Sequence, residues 1–157
     1  MNPDPQEFNP DTILRGLEEL LDSRWTELAN MANMASYLFH SLHDLNWLGF
    51  YLLTDGKLSL GPFQGKPACI EIEIGKGVCG TAFAQKQTVV VQDVEDFPGH
   101  IACDPASRSE IVVPVYRNGA PIGVLDVDSP SIGRFSAREQ DFFERAVKIF
   151  ENAISGT

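Results

Sequence analysis

The spacing of apolar residues changes twice along the chain, and this change constrains the fold more than any single motif. Residues 9–44 carry apolar side chains at helical spacing, residues 46–130 carry them mostly in alternation, and residues 136–155 return to helical spacing. Helices at both chain ends with strands between them predict an α+β domain, in which a central, mainly antiparallel sheet is covered by the terminal helices. We expect one domain over residues 1–157, because this length suits a single core.

The terminal helices carry clear start signals. Asn9 before Pro10 is a typical N-cap, and Ser136 with Glu139 three residues later forms the pattern of a capping box. The second N-terminal helix has an apolar, Met-rich face. Its members are Trp25, Leu28, Met31, Met34, Ala35, Leu38 and Leu42. This face predicts packing in the core or in a homodimer.

The central region divides at turn signals. Thr-Asp-Gly at 54–56 and Asn-Gly at 118–119 each predict a β-hairpin. Between the hairpins, residues 68–74 alternate as a third strand, residues 75–87 form a short helix, and residues 88–94 form another strand. Irregular residues 95–109 follow, and loops of this length in a small domain are often functional.

Composition excludes several classes of function. The formal net charge of −10 disfavours nucleic acid and anionic membrane as partners. No apolar run reaches the ~20 residues of a membrane helix, and the N-terminus lacks the pattern of a signal peptide. Three cysteines cannot form a closed set of structural disulfides. Because no export signal is seen, we expect a cytoplasmic protein in a reducing compartment.

Polar side chains that could take part in catalysis or binding cluster around the long loop. The loop contains Cys103, and Glu110 starts the next strand. Asp126 and Asp128 are two residues apart, so both side chains leave the same face of the last strand. The hairpin should bring Glu110 near Asp128. The pattern fits a solvated sheet face as well as a convergent carboxylate site.

Other motifs give weaker signals. Trp47 and Tyr51 share a strand face and are typical of an aromatic core pair. A zinc site could be drawn from the three cysteines and His100, but no Cys-x-x-Cys pair is present. The glycines of GKGVCGTA precede a helix without the Lys-Ser/Thr ending of a P-loop, and no Gly-x-Ser-x-Gly motif occurs.

Taken together, consecutive blocks of the sequence resemble one family. They are NWLGFYLL, LGPFQGKPACIEI, GKGVCGTAFA, VQDVEDFPGHIACDPASRSEIVVPV and IGVLDVDS followed by GRFS. These blocks resemble the free methionine-R-sulfoxide reductases, which are built on a GAF domain. The resemblance extends from about Ile13 to the last helix.

The resemblance implies a reaction and a set of site residues. The reaction is reduction of free L-methionine (R)-S-oxide to methionine, with thioredoxin as electron donor and with no bound cofactor or metal. Cys103 corresponds to the attacking cysteine, Cys69 to the resolving cysteine that forms a disulfide with it, and Cys79 to a second resolving or relay thiol. The substrate-binding residues implied by the resemblance are Glu110, Asp126, Asp128, Trp47 and Tyr51.

Alternatives remain open at this stage. GAF domains are also found as non-enzymatic sensors of small ligands or redox state. The carboxylate that donates a proton could be any of the three acidic residues. A homodimer through the N-terminal helices is a further expectation, implied mainly by the resemblance and in part by the Met-rich face.

Overall fold

A six-stranded antiparallel sheet organises the chain. The computed structural model describes residues 8–155. Its strands are β1 (Trp47–Thr54), β2 (Lys57–Gly65), β3 (Glu71–Glu73), β4 (Val89–Val91), β5 (Ser109–Arg117) and β6 (Ala120–Ser129), and its helices are α1 (Pro10–Leu20), α2 (Glu27–Ser41), α3 (Gly77–Gln85) and α4 (Ala137–Ile154). The spatial order is β3-β2-β1-β6-β5-β4, which confirms the α+β prediction.

Helices α1, α2 and α4 cover one face of the sheet and form the main core. The odd–even alternation of the strands decides what points there: Leu48 and Phe50 from β1 face this layer, and so do Leu125 and Val127 from β6. Asn9 and the Ser136–Glu139 capping box start α1 and α4 as the sequence predicts. This layer is apolar and has no place for the chemistry suggested by the acidic residues.

Both hairpins turn where the sequence predicts. Asp55 and Gly56 have φ values of 50° and 79°, and Asn118 and Gly119 have 49° and 82°. Two successive left-handed residues are the signature of a type I′ turn, whose twist matches that of the flanking strands. The second hairpin pairs β5 with β6, and a register shift between Val115 and Tyr116 then brings the acidic residues into line.

The Met-rich face of α2 is buried inside the chain. Met31 and Met34 are 3% and 0% exposed. Trp25 precedes the helix, and Leu28 lies on its outer side with 65% exposure. Met31 and Met34 therefore pack in the core of one chain, whereas Trp25 and Leu28 stay exposed, and the homodimer remains a prediction.

Other sequence predictions differ from the structure in extent. The third strand is shorter than residues 68–74, because only Glu71–Glu73 pair with β2 and Cys69 is held outside the ladder. Two predictions concern residues outside the described range. They are the absence of a signal peptide at the N-terminus and the outer ends of the domain predicted over residues 1–157. Within residues 8–155, no helix combines the length and apolar character needed to cross a bilayer.

Candidate active site

The second face of the sheet carries α3 and the long loops. A smaller apolar cluster lies here, with Val112 of β5, Val124 of β6 and Val78 of α3 among its members. Glu110, Asp126 and Asp128 belong to the same strand faces as these valines, because strand side chains alternate with period two. The acidic residues therefore enter the space between the sheet and α3.

The three carboxyl groups converge and are buried. Glu110 pairs with Asp128 in the β5–β6 register, and Asp126 lies one step further along the same face. The exposed fractions are 6% for Glu110, 6% for Asp126 and 8% for Asp128. Atoms Oδ1 of both aspartates are buried without a hydrogen-bond partner. The alternative of a solvated sheet face is therefore wrong.

Burial raises the pKa of all three carboxyl groups well above their ordinary values. Desolvation is the largest cause for each, and repulsion between the neighbouring carboxylates adds to it. Protonated carboxyl groups can donate a proton, and a bound cation would favour their ionised form. The cluster can therefore serve as a proton reservoir or as a receptor for an ammonium group.

Cys69 and Cys103 form a disulfide at the edge of this cluster. Their Cα atoms are 5.4 Å apart across a sequence separation of 34 residues. Both residues are only half-buried, whereas Cys79 is a free thiol with 4% exposure. The pairing implied by the resemblance is present, and it leaves too few thiols for the zinc site drawn from three cysteines and His100.

Cys79 enters the site from the first turn of α3. Gly80 permits this approach, because a Cβ atom at that position would lie 2.3 Å from the carbonyl oxygen of Glu73. The Cys79 Sγ, a carboxyl oxygen of Glu110 and one of Asp126 all lie within 4.8 Å of one another. Desolvation raises the pKa of the Cys79 thiol, and the nearby Asp126 carboxylate raises it further.

The loop that carries Cys103 is held by polar residues that the sequence analysis did not identify. Asn46 donates from Nδ2 to Asp104 Oδ2 and to Ser107 Oγ, both at 3.0 Å. Asp104 Oδ1 accepts from the Ala106 amide at 2.9 Å. Asn46 directly precedes β1 and connects the sheet to the loop. Its place at the start of a predicted strand is the one sequence feature that points to this role.

The two aromatic candidates have different positions. Tyr51 lines the cavity, and its hydroxyl donates to the carbonyl oxygen of Cys69 at 2.9 Å. Trp47 is 2% exposed, stacks against Tyr51 and Phe63, and donates from Nε1 to the Lys66 carbonyl oxygen. In this disulfide-bonded form Trp47 stacks on Tyr51 and does not line the cavity, so contact between Trp47 and the substrate stays a prediction.

The cavity brings the cysteines, carboxyl groups and one aromatic ring together. Its lining comprises Tyr51, Ile72, Gly77, Val78, Cys79, His100, Ile101, Cys103, Asp104, Ser107, Glu110, Asp126 and Asp128. Of the predicted site residues, Trp47 and Cys69 are the two that are not part of this lining. Cys69 is nevertheless bonded to a lining residue through the disulfide.

His100 lies over the acidic cluster without forming a true ion pair. Its Nε2 is 3.6 Å from Glu110 Oε1. Burial lowers the pKa of His100, and it raises that of Glu110, so both shifts favour the neutral form of the group.

A disulfide-forming cysteine pair beside three buried carboxyl groups with raised pKa values indicates a thiol oxidoreductase. A family model described as a GAF domain matches residues 29–155. The free methionine-R-sulfoxide reductase of Escherichia coli is 46% identical over 96% of this chain and 91% of its own length. This chain belongs to the free methionine-R-sulfoxide reductase family of GAF-domain proteins.

Solved structures give the same assignment. The reduced form of fRMsr of Staphylococcus aureus is 45% identical, with a TM-score of 0.92, over 95% of this chain and 97% of its own. The free methionine-R-sulfoxide reductase of Neisseria meningitidis, in complex with its substrate, is 40% identical, with a TM-score of 0.87, over 92% of this chain and 87% of its own.

Proposed function

We propose that this protein reduces free L-methionine (R)-S-oxide to L-methionine by thiol chemistry at Cys103. The observation that carries this proposal is the Cys69–Cys103 disulfide beside three buried carboxyl groups. A disulfide is the product expected after a cysteine has removed oxygen from a sulfoxide and a second cysteine has resolved the result.

The carboxyl cluster suits the amino end of the substrate. A free amino acid carries an ammonium group, and Glu110, Asp126 and Asp128 can accept charge-assisted hydrogen bonds from it. The buried, unpartnered Oδ1 atoms of the two aspartates are acceptors available for this purpose. Tyr51, backed by Trp47, offers an apolar wall for the methyl and methylene groups.

The same cluster suits the chemical step. The Cys103 thiolate attacks the sulfoxide sulfur while an acid protonates the sulfoxide oxygen, which makes the sulfur electrophilic. Oxygen is transferred to Cys103, so the sulfoxide is reduced to methionine and the thiol is oxidised to a sulfenic acid. The raised pKa values keep carboxyl protons available for this transfer at a higher pH than exposed carboxyl groups would.

The cycle closes through the other cysteines and an external dithiol. The Cys69 thiol attacks the Cys103 sulfenic acid, and water leaves as the disulfide forms. Thioredoxin is the proposed electron donor, because a dithiol of this kind reduces such a disulfide by exchange. This cycle needs no bound cofactor and suits the reducing cytoplasm. Cys79 is a buried free thiol that lines the same cavity as Cys103, and we assign it the role of a second resolving or relay thiol.

A coupled assay tests the proposal. Thioredoxin, thioredoxin reductase and NADPH are combined with purified protein and with free Met-R-O, free Met-S-O or a peptide containing Met-O. We expect sustained NADPH oxidation with free Met-R-O only. Cys103→Ser should abolish it, and Cys69→Ser should permit one turnover before it stalls.

Two outcomes of this assay contradict the proposal. A sensor domain, the alternative class, would bind methionine sulfoxide and leave it unreduced. Methionine formation at the full single-turnover rate by Cys103→Ser would move the nucleophile to Cys79 or Cys69.

A further inference from the structure

We propose that Cys79, Glu110 and Asp126 form a binding site for one Zn²⁺ ion, which occupies the acidic cavity in competition with the substrate. The geometry of these side chains supports zinc binding by itself. The competition rests additionally on the proposed function, in which the same carboxylates hold the substrate ammonium group.

The distances fit a zinc site after small side-chain movements. Ligand atoms around tetrahedral zinc, with bonds of about 2.0–2.3 Å, lie roughly 3.3–3.8 Å from one another. Cys79 Sγ and the carboxyl oxygens of Glu110 and Asp126 already lie within 4.8 Å of one another. Each pair needs to close by no more than about 1.5 Å. The three ligands come from α3, β5 and β6, so the packed sheet and helix preorganise them.

An unsatisfied polar atom points independently to a ligand in this position. Asp126 is 6% exposed, and its Oδ1 has no hydrogen-bond partner. Asp128, 8% exposed, presents a second such Oδ1 beside it. Buried carboxylate oxygens are costly to leave unpaired. A cation coordinated by Asp126, with Asp128 or water as the fourth ligand, would remove this cost.

The donor set selects zinc over the hard divalent cations. Mg²⁺ and Ca²⁺ prefer six or more oxygen ligands, whereas one thiolate with two carboxylates suits a four-coordinate thiophilic ion. This set differs from the zinc site considered from the sequence. It uses neither thiol of the Cys69–Cys103 disulfide, so the oxidised protein retains all three ligands.

Metal binding must displace protons here. The Cys79 thiol loses its proton when the Zn–S bond forms, and carboxyl groups that are protonated lose theirs. Affinity should therefore rise with pH. The other titratable groups that line this cavity are Tyr51 of β1, His100 and Asp104 of the long loop, and Asp128 of β6.

Calorimetric titration of the oxidised protein with Zn²⁺ tests the site, because Cys79 is then the only free thiol among the three cysteines. We expect one equivalent to bind with release of protons. Cys79→Ser and Asp126→Asn should each weaken binding on the order of 100-fold. The matched control Asp141→Asn, an exposed carboxylate on α4, should leave it unchanged. Mg²⁺ should not compete.

Cobalt gives a readout of the ligand itself. Co²⁺ in the same site should show a thiolate-to-metal charge-transfer band that disappears in Cys79→Ser. Saturating L-methionine should weaken Zn²⁺ binding at least tenfold. Binding that is absent, or that is equal in wild type and Cys79→Ser, would overturn the zinc site. If L-methionine leaves the affinity for Zn²⁺ unchanged, the competition is overturned and the zinc site stands. None of these measurements needs turnover, so failure of the reductase proposal remains a separate result.

Discussion

The hydroxyl of Tyr51 donates a hydrogen bond of 2.9 Å to the carbonyl oxygen of Cys69. Tyr51 lies in the centre of the sheet, and Cys69 lies in the connection that leads from β2 to β3. One bond therefore ties a rigid wall of the cavity to the backbone of the resolving cysteine. Its loss should affect the redox cycle more than the fold.

Tyr51→Phe tests this coupling. The variant leaves the Cys69 carbonyl unpaired and removes about 1 kcal/mol of net hydrogen-bond stabilisation. We expect Cys69 to attack the Cys103 sulfenic acid about fivefold more slowly, which is the factor that corresponds to this free energy. Rapid quenching with a thiol-alkylating reagent measures this rate. The matched control is Tyr37→Phe, which loses a hydrogen bond of 2.7 Å to the Ile13 carbonyl within the helical layer. An equal slowing in both variants would contradict the account.

Asn46 gives a second test of how the fold positions the disulfide. Asn46→Ala leaves Asp104 and Ser107 without their donor, so the Cys103 loop should become less ordered. We expect the equilibrium constant for disulfide formation in a glutathione buffer to fall about tenfold. Asn30→Ala removes a comparable buried amide that bonds to the Asp22 backbone. Asn30→Ala should lower the free energy of unfolding and leave the disulfide equilibrium unchanged. A disulfide equilibrium that changes in Asn30→Ala and not in Asn46→Ala would be evidence against the role of Asn46.

The raised pKa values of the carboxyl cluster predict a pH dependence of stability. The folded state binds more protons than the unfolded state at every pH between the ordinary carboxyl pKa, about 4, and the raised folded value. The free energy of unfolding should therefore decrease as pH rises through this window. Asp126→Asn removes one of these ionisations, so its stability should decrease less between about pH 5 and 8.

Urea unfolding at several pH values provides this comparison. The lowered pKa of His100 makes the free energy of unfolding rise with pH just below the ordinary pKa of histidine. This contribution is common to both proteins, so it cancels in the difference between them. Asp141→Asn, a control on the exposed side of α4, should run parallel to wild type. An Asp126→Asn curve that also runs parallel would mean that Asp126 is ionised in the free protein.

Substrate analogues test whether the carboxyl cluster recognises the ammonium group of the substrate. N-acetyl-Met-R-O replaces the cation with a neutral amide, whereas the methyl ester of Met-R-O keeps it and loses the carboxylate. We expect kcat/KM to fall at least about 100-fold for the acetylated analogue, because buried carboxylates are then left without their partner. The ester should lose less. Equal losses for the two analogues would assign the cluster to proton supply alone.

Much of the site could be predicted because strand geometry is periodic. The spacing of Asp126 and Asp128 places them on one face, and the hairpin predicted at Asn118–Gly119 brings Glu110 near them, but the exact pairing of Glu110 with Asp128 depends on a register shift between Val115 and Tyr116 that no motif predicts. The sequence could not decide whether that face meets water. Burial is decided by α3 and the long loop, which pack over the face through contacts that no local pattern encodes.

The parts that could not be predicted depend on irregular backbone. Trp47 and Tyr51 share a strand face, so alternation alone does not distinguish them. In the structure Tyr51 lines the cavity, and Trp47 stacks against Tyr51. Asn46 has no periodic signal, because its role arises from contact with loop residues about 60 positions away. The Met-rich face of α2 was ambiguous, because an apolar stripe looks the same whether its own sheet or a second chain covers it.

The most direct test of the central claim is a single turnover of fully reduced protein with stoichiometric free Met-R-O, without any external reductant. The account predicts one methionine per chain, loss of two thiols, and a Cys69–Cys103 disulfide in peptide mapping, with Cys79 still open to alkylation after denaturation. Failure to form methionine, or a predominant disulfide that includes Cys79, would contradict it.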